Sequence, residues 1–411
     1  MSSRLAKRLD AVLPSVTLAM NARAAELRAT GADVFAFGVG EPDFEPAPFV
    51  LDAAKKILEK GGVSKYTAVT GIAPLKQAIC ERVARTRGFQ PTPDMITVSV
   101  GAKHALFNLA IALFEPGDEV VLPAPCWVSY PEQVRMMGAS PVLVLSDEAS
   151  GWRVRPADLA AAMSSRTKAV VLCTPSNPTG AAYNEAELSA LLAVLRPHDC
   201  WIIVDEIYSE LVYDGLKHAS ATKIAPDLLS RIVLVDGVSK TYAMTGWRIG
   251  WSVAPKHLSK ALDTVQGQST TNPTAVAQHA AMAALTGPQD EVERMRATFE
   301  KRRDAMIAGL NSLGAIKCRK PEGAFYAFAD CRGLYGIEYK GKPIASDEDV
   351  AFWLLERARV ATVPGGPFGA PGYVRFSYAT SEERIVAGIA SIAQAIAGAT
   401  RAAAAPIDAR A

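Results

Sequence analysis

Between Met95 and Pro255, short runs of apolar and β-branched residues alternate with longer segments of helical pattern. Two of these runs, KAVVLC and WIIVD, are apolar on both faces of the strand that each predicts. Such strands need helices on both sides, as in a mostly parallel sheet, so the pattern predicts an α/β fold. The predicted strands cover residues 96–100, 119–122, 141–145, 169–172, 201–204, 232–235 and 248–253, and the first helix covers residues 103–113.

The pattern changes after about residue 286. A charged helix is predicted over residues 291–313, followed by the strand-like alternation AFYAFAD, a helix over 347–359, a strand over 373–377 and a final helix. This predicts a smaller α+β domain that the N-terminal segment completes. We expect an N-terminal arm and part of the small domain in residues 1–45, a large domain in 46–285 and the rest of the small domain in 286–411.

Composition excludes several classes of protein. The 44 Lys and Arg residues nearly balance the 42 Asp and Glu residues, which argues against a nucleic-acid binder. The six cysteines lack C-x-x-C spacing and the five histidines are scattered, so neither a disulfide framework nor a metal site is predicted. No run approaches the roughly 18 apolar residues of a membrane span, and we read the broken N-terminal apolar segment as an amphipathic arm. We therefore expect a cytoplasmic protein.

Polar residues follow several of the predicted strands. In parallel α/β sheets, ligands bind just beyond the carboxyl ends of the strands. A binding site at that edge is therefore predicted from Gly101, Asn177, Asp205, Ser239 and Lys240.

Lys240 lies in a loop that is poor in other charges, with Arg248 eight residues further on. A partly desolvated amine near a cation has a lowered pKa and can attack a carbonyl carbon. The arginine then needs an anion, and a phosphate would supply one. Gly101 and Ala102 open a helix directly after a strand, which is a natural phosphate seat. Taken alone, Asp205 could equally be a helix cap.

The segment S-K-T-Y-A-M-T-G-W-R-I-G resembles the lysine motif of class I pyridoxal-phosphate aminotransferases of fold type I. The resemblance extends from L-P-S-V-T-L-A-M-N-A to S-Y-A-T-S-E-E and is closest to the bacterial aspartate and aspartate/prephenate subgroup. It implies a large domain with a mostly parallel seven-stranded sheet between helices. It also implies that Lys240 is the Schiff-base lysine and that Arg248 binds the cofactor phosphate. Some relatives carry a hydroxyl residue where this chain has Gly237, and Ser239 is the candidate to replace it.

The resemblance assigns further cofactor-binding residues. Asp205 pairs with the protonated ring nitrogen, and at about 3 Å and an effective dielectric of about 20 this gains on the order of 5 kcal/mol before desolvation. Even half of that would move the ring pKa by about two units. The remaining assignments place Asn177 and Tyr208 on the phenolic oxygen, Trp127 on the ring face, Gly101, Ala102 and Lys103 at the helix start, and Tyr66 on the phosphate of a neighbouring subunit. The last assignment implies a homodimer with shared active sites.

The substrates implied are an amino acid and a 2-oxo acid. Arg375, in Y-V-R-F-S-Y-A-T, matches the residue that binds the α-carboxylate through two hydrogen bonds, and Gly40, in G-E-P-D-F, contacts the same group. Asn177 and Trp127 also border the substrate. Lys103, with the hydroxyl groups of Ser15 and Thr17, matches the residues that hold the side-chain carboxylate of a dicarboxylic substrate.

Three hypotheses follow. The first is an aminotransferase with ping-pong kinetics that acts on aspartate or glutamate, or, alternatively, prefers aromatic amino acids or prephenate. The second is a lyase on the same scaffold, because fold alone does not separate these reactions. The third is a regulator with an aminotransferase-like domain, but only about 30 residues precede the matched core, and no basic recognition helix is apparent.

Overall fold

The computed structural model describes residues 6–12 and 16–401, without the side chains of residues 7, 16–18 and 21. Its contacts divide the chain into two compact units. The first unit contains residues 6–12, 41–300 and 321–324, and the second contains residues 16–40, 301–320 and 325–401. The domain bounds given above, at residues 45 and 285, stay a prediction.

The described residues form fourteen α-helices and fifteen strands. The α-helices are α1 (Val16–Ala29), α2 (Pro48–Lys60), α3 (Ala73–Arg87), α4 (Ala102–Leu113), α5 (Ser129–Met136), α6 (Pro156–Ala162), α7 (Glu185–Leu195), α8 (Ala221–Ile224), α9 (Val238–Thr241), α10 (Lys256–Gly267), α11 (Ala275–Thr286), α12 (Asp290–Ser312), α13 (Asp347–Arg357) and α14 (Glu382–Ala397). The strands are β1 (Phe35–Ala36), β2 (Ile96–Ser99), β3 (Glu119–Ala124), β4 (Ser140–Leu145), β5 (Thr167–Cys173), β6 (Trp201–Asp205), β7 (Ile232–Gly237), β8 (Gly250–Val253), β9 (Lys317–Cys318), β10 (Tyr326–Asp330), β11 (Glu338–Tyr339), β12 (Lys342–Pro343), β13 (Val360–Ala361), β14 (Val363–Pro364) and β15 (Tyr373–Ser377).

The first unit is built on a seven-stranded sheet in the order β2-β8-β7-β6-β5-β3-β4. The pairs β7–β6, β6–β5, β5–β3 and β3–β4 are parallel, whereas β8 runs antiparallel to both β7 and β2. The predicted α/β fold with a mostly parallel seven-stranded sheet is therefore confirmed.

Both faces of this sheet are covered. Along β6, Ile202 and Val204 belong to one buried apolar cluster and Ile203 belongs to another. Alternate residues of a strand point to opposite faces, so each face of β6 packs against its own core. This is the arrangement that the apolar run WIIVD predicts.

The second unit has its own sheet, in the order β14-β15-β10-β9, with antiparallel pairing. β1 pairs in parallel with β13, so the segment that contains α1 and β1 belongs to this unit. Its apolar cluster includes Met20, Val34 and Leu355. The strands β9 and β11–β14 have two residues each, too few for a periodic pattern to predict them.

Two further findings concern the described residues. No helix in residues 16–401 has the length and apolar character needed to cross a membrane. The six cysteines are free thiols, and five of them are buried.

Candidate active site

The strand ends named in the sequence analysis meet at one edge of the large sheet. Cys173, Asp205 and Val235 lie side by side in β5, β6 and β7, so the chain leaves these parallel strands at the same edge. Gly250, the first residue of β8, pairs with Gly237 at the end of β7 and with Ser99 at the end of β2. The segments that follow β2, β5, β6 and β7 therefore all begin at this edge.

Asp205 is the last residue of β6 and is 3% exposed. Its Oδ2 atom accepts a 2.7 Å hydrogen bond from the Tyr130 hydroxyl, and its Oδ1 atom accepts a 3.2 Å bond from the backbone N–H of Ile207. Burial raises the pKa of Asp205 to about 6 despite these two bonds. A cation beside the carboxylate would offset the desolvation of the charged form.

Lys240 lies in the short helix α9, directly after β7, and is half-buried. Its neighbour Ser239 is buried. Asn177, four residues after the end of β5, and Tyr208, three residues after the end of β6, are also buried. An amine, a hydroxyl, an amide and a phenol are thus carried by segments that leave adjacent strands at one edge.

The start of α4 has the geometry of an anion seat. Gly101, its N-cap, has φ +84°, and a Cβ atom built there would lie 2.6 Å from Nη2 of Arg248. A Cβ atom on Gly250 would overlap the backbone nitrogen of Ala102. Glycine at both positions therefore lets the helix start, the arginine and β8 approach closely. First-turn N–H groups and a guanidinium both favour a phosphate.

Arg248 corrects one part of the sequence prediction. The strand predicted over 248–253 begins instead at Gly250, and Arg248 adopts a left-handed conformation with φ +57°. In this turn, its Nη1 donates to the carbonyl of Thr245 at 2.8 Å and its Nη2 donates to the carbonyl of Val100 at 3.4 Å. Because Arg248 lies in this turn, its guanidinium stays beside the start of α4. In a strand, its side chain would instead point to one face of the sheet.

Lys103 and Trp127 form a cation–π contact, with Nζ 5.0 Å from the centroid of the ring. The half-buried Trp127 also meets Tyr130 edge to face, with ring centroids 5.4 Å apart. Although Lys103 is exposed, desolvation by its neighbours and the charge of Arg248 lower its pKa. Trp127 therefore contacts both Lys103 and Tyr130, and Tyr130 donates the hydrogen bond to Asp205.

In the second unit, the guanidinium of Arg375 is held between two aromatic rings. Arg375 is 4% exposed, and Cζ lies 4.3 Å from the centroid of Tyr326 and 5.3 Å from that of Phe368. Its Nη2 atom donates to the carbonyl of Gly38 at 3.0 Å. A Cβ atom on Gly40 would lie 3.2 Å from the Tyr326 hydroxyl, so this unit brings Gly40 and Arg375 around the same tyrosine.

For three further predicted residues, the structure gives no contact with these groups or does not describe the side chain. Tyr66, in the segment between α2 and α3, is 90% exposed. Thr17 belongs to α1, but its side chain is not among those described, and Ser15 lies outside the described residues. Their assignments stay predictions.

Sequence reasoning missed Tyr130. It lies three residues after Trp127, at the start of α5, and so about one helical turn away in the segment A-P-C-W-V-S-Y-P-E. The available signal was this spacing together with the two prolines that bracket the segment. Its partner Asp205 is 75 residues away in sequence, and no local pattern joins the two.

The donor set fits the cofactor that the resemblance implies. A buried carboxylate suits a protonated ring nitrogen, the glycine-lined helix start beside Arg248 suits a phosphate, and the amine of Lys240 suits an aldehyde. Among residues 6–12 and 16–401, no group of three or more His, Cys, Asp and Glu side chains could hold a metal ion.

Comparison with known proteins agrees with this chemistry. The family model "Aminotransferase class I and II" matches residues 32–392. An aspartate aminotransferase from Geobacillus stearothermophilus is 46% identical over 92% of this chain and 95% of the relative. An aspartate/prephenate aminotransferase from Cereibacter sphaeroides is 45% identical over the same shares. The crystal structure of an aspartate aminotransferase from Rhizobium meliloti superposes with a TM-score of 0.93 at 42% identity, over 97% of this chain and 100% of that one.

Proposed function

The chain belongs to the family of class I and II aminotransferases, and we propose that it transfers the amino group of L-aspartate or L-glutamate to a 2-oxo acid. The observation that carries the proposal is the buried carboxylate of Asp205, whose segment leaves the sheet at the same edge as that of Lys240. Pyridoxal phosphate, the cofactor of this family, supplies an electron sink for the bond that is broken at the substrate α-carbon.

Lys240 carries the catalytic role. Its Nζ atom would hold the cofactor through the aldehyde carbon. When it is not bonded to the cofactor, the same amine would take the proton from the substrate α-carbon as a general base and later give a proton up as a general acid. Release of the first oxo acid before the second one binds makes the kinetics ping-pong.

The cofactor is held at its two ends. The N–H groups of Ala102 and Lys103 with the guanidinium of Arg248 bind the phosphate, and the Ser239 hydroxyl assists. Asp205 keeps the ring nitrogen protonated, and the 2.7 Å bond from Tyr130 orients its carboxylate. Trp127 would stack on the cofactor ring, and Asn177 and Tyr208 would bind its phenolic oxygen.

Substrate recognition rests on two cations. The guanidinium of Arg375, held between aromatic rings, binds the α-carboxylate, and the Gly40 backbone contacts the same group. Lys103 binds the side-chain carboxylate together with the hydroxyl groups of Ser15 and Thr17. The relatives named as aspartate and aspartate/prephenate aminotransferases support this choice of substrate.

We also infer a cytoplasmic homodimer. The 90% exposed Tyr66 supports the dimer, because an exposed tyrosine can reach the phosphate bound by a second copy of the chain. Size-exclusion chromatography with light scattering tests the dimer. Mixing Tyr66→Phe chains with Lys240→Ala chains tests the shared site, because only a mixed dimer would contain one intact site.

The substrate test is a half-reaction with cofactor-loaded protein. Mixed with L-aspartate, the protein should convert its cofactor stoichiometrically to the amino form, and Lys240→Ala should lose the visible absorbance of the bound cofactor. Release of ammonia or thiol would favour the lyase. A faster reaction with phenylalanine, or amination of prephenate in preference to oxaloacetate, would favour the aromatic or prephenate alternative.

A further inference from the structure

Two buried arginines and three carboxylates, two of them buried and Glu210 partly exposed, form an ion-pair cluster in the first unit. Arg82 and Arg87 lie on α3 and are each 4% exposed. Glu206 and Glu210 follow β6, and Asp236 lies near the end of β7. We call these five residues the α3 cluster. Burying so many charges is costly unless each one is paired, so the pairing has to be accurate.

Arg87 joins the segment after β6 to β7. Its Nε atom donates to Glu206, its Nη2 atom donates to the Ser209 hydroxyl at 2.5 Å, and Nη2 lies 3.7 Å from Oδ2 of Asp236. Glu206 is also held by His218, whose Nε2 atom lies 3.2 Å from its carboxylate.

Arg82 joins the same segment to the end of α9. Its Nη2 atom donates to Glu210 at 2.8 Å, its Nη1 atom donates to the Tyr242 hydroxyl at 3.1 Å, and its Nε atom lies 3.8 Å from Asp236. Tyr242 in turn donates to Gln289 at 2.9 Å.

The acceptors in this cluster lie on the same chain segments as the proposed cofactor-binding groups. Glu206 follows Asp205, while Asp236 and Tyr242 flank the helix that carries Lys240. Asp236 also accepts the backbone N–H of Gly237, the N-cap of that helix, at 2.7 Å. The same two guanidinium groups therefore hold both segments.

We propose that Arg82 and Arg87 are positioning residues for the cofactor, because they fix the segment of Asp205 against the segment of Lys240 through buried ion pairs. The inference rests on the proposed function, and it assigns a part of the site that the sequence motifs do not contain. Neither arginine is required to touch the cofactor or the substrate.

The charges of the cluster also act on the ring-binding carboxylate. Burial raises the pKa of Asp205, and the charges of Asp236 and Glu206 raise it further. Although burial opposes ionisation of Glu206, Arg87 and His218 keep its pKa at about 2. Removing the Arg87 charge thus leaves more uncompensated negative charge beside Asp205, which favours the protonated form of nearby groups.

The test compares Arg87→Met, Arg87→Lys and, as a matched control, Arg153→Met. Arg87 pairs with three carboxylates, and Arg153 pairs with two, Glu187 and Glu322, which belong to neither of the two segments. For each full-length protein, the dissociation constant of pyridoxal phosphate, the pH midpoint of the visible band and thermal unfolding without cofactor are measured. We expect Arg87→Met to weaken cofactor binding by about 10- to 100-fold, as for residues that orient the ligands of a bound metal. We also expect its pH midpoint to rise.

Arg87→Lys keeps the charge, so it should weaken cofactor binding less and raise the pH midpoint less than Arg87→Met does. Arg153→Met should change the dissociation constant of the cofactor by no more than about twofold and leave the pH midpoint where it is in wild type. Equal cofactor affinity and pH midpoint in wild type and Arg87→Met would overturn the proposal even if Arg87→Met unfolds at a lower temperature. If Arg87→Met does not fold, unchanged affinity and midpoint in Arg87→Lys and Arg82→Lys would overturn it. Failure of the wild-type protein to bind pyridoxal phosphate would instead contradict the proposed function.

Discussion

Replacing Asp205 with asparagine should stabilise the cofactor-free protein at neutral pH and weaken its binding of pyridoxal phosphate. The substitution keeps the size of the side chain and an oxygen that accepts the Tyr130 hydroxyl, but it removes the charge and the second oxygen, which accepts the Ile207 N–H. Burial places the pKa of Asp205 at about 6, against an ordinary value of 3.8. The ionised form is therefore disfavoured in the folded protein.

The pKa gives the size and sign of the effect. A difference of about two pKa units corresponds to about 3 kcal/mol. Because the folded state binds this proton more tightly than the unfolded state, the free energy of unfolding falls as pH rises from about 4 to about 6 and stays lower above that. The asparagine side chain does not titrate, so the stability of Asp205→Asn relative to wild type should increase by up to about 3 kcal/mol between pH 4 and pH 7. The lost bond from the Ile207 N–H, about 1 kcal/mol, lowers this relative stability equally at both pH values.

Urea unfolding of the cofactor-free proteins between about pH 4 and pH 8 measures this difference. If the difference in free energy of unfolding between Asp205→Asn and wild type does not change with pH, the reasoning is refuted. Asp227→Asn is the control, since the pKa of this exposed aspartate is lowered by Arg196 and its replacement should give no such gain. With cofactor the sign reverses: if half of the roughly 5 kcal/mol of charge attraction is realised, Asp205→Asn should bind pyridoxal phosphate about 100-fold more weakly.

Three further substitutions test separate parts of the site. Tyr130→Phe removes the 2.7 Å bond to Asp205, so the pKa of that carboxyl should rise and cofactor affinity should fall about tenfold near pH 7, measured by equilibrium titration. Gly101→Ala places a methyl group 2.6 Å from Arg248 at a positive φ, so binding of pyridoxal phosphate and of inorganic phosphate should both weaken, measured by calorimetry. Lys103→Gln should raise KM for L-aspartate about tenfold or more, measured by steady-state kinetics, because it removes the cation assigned to the side-chain carboxylate.

Each of these has a matched comparison. Tyr183→Phe removes another buried tyrosine hydroxyl, which accepts from the Val154 N–H, and should leave the pH dependence of cofactor binding unchanged. Gly117→Ala introduces a Cβ atom at φ +102° in open space, so it adds backbone strain without a clash. If Gly117→Ala weakened phosphate binding as much as Gly101→Ala does, the effect would be due to backbone strain alone. For Lys103→Gln, phenylalanine is the internal comparison: an equal rise of KM for both amino acids would contradict the assigned role.

The architecture of the first unit was predictable because its signal is local. An apolar run such as WIIVD predicts a strand with both faces covered, and β6 has the predicted bounds apart from Asp205 at its end. Ligands of parallel sheets bind beyond the carboxyl ends of the strands, so the polar residues that follow each predicted strand are candidate binding residues. Arg248 shows the limit of this reasoning, because a left-handed turn residue and the first residue of a strand look alike in an apolar context.

The α3 cluster was not predictable for a different reason. Arg82 and Arg87 are five residues apart on a helix that also carries Lys76 and Arg85, so their pattern is that of a solvated helix face. Their burial depends on partners 119 to 160 positions away, which only the topology of the sheet brings near. Whether such a charged side chain is buried thus depends on tertiary contacts, which a local sequence pattern does not predict.

One antiparallel strand explains how Lys240 and Arg248 come to lie at the same edge of the sheet. β7 ends at Gly237, and β8 runs in the opposite direction, so it starts where β7 ends, with Gly250 beside Gly237. Both ends of the connecting segment are therefore fixed at one edge of the sheet, and the lysine and arginine that it carries stay there. Had β8 been parallel, its start would lie at the opposite edge, one strand length away, and Arg248 with it. Because β2 is antiparallel to β8 in turn, the start of α4 lies at this edge as well. Two antiparallel pairings therefore place the start of α4 and Arg248 at the same edge as the ends of the parallel strands.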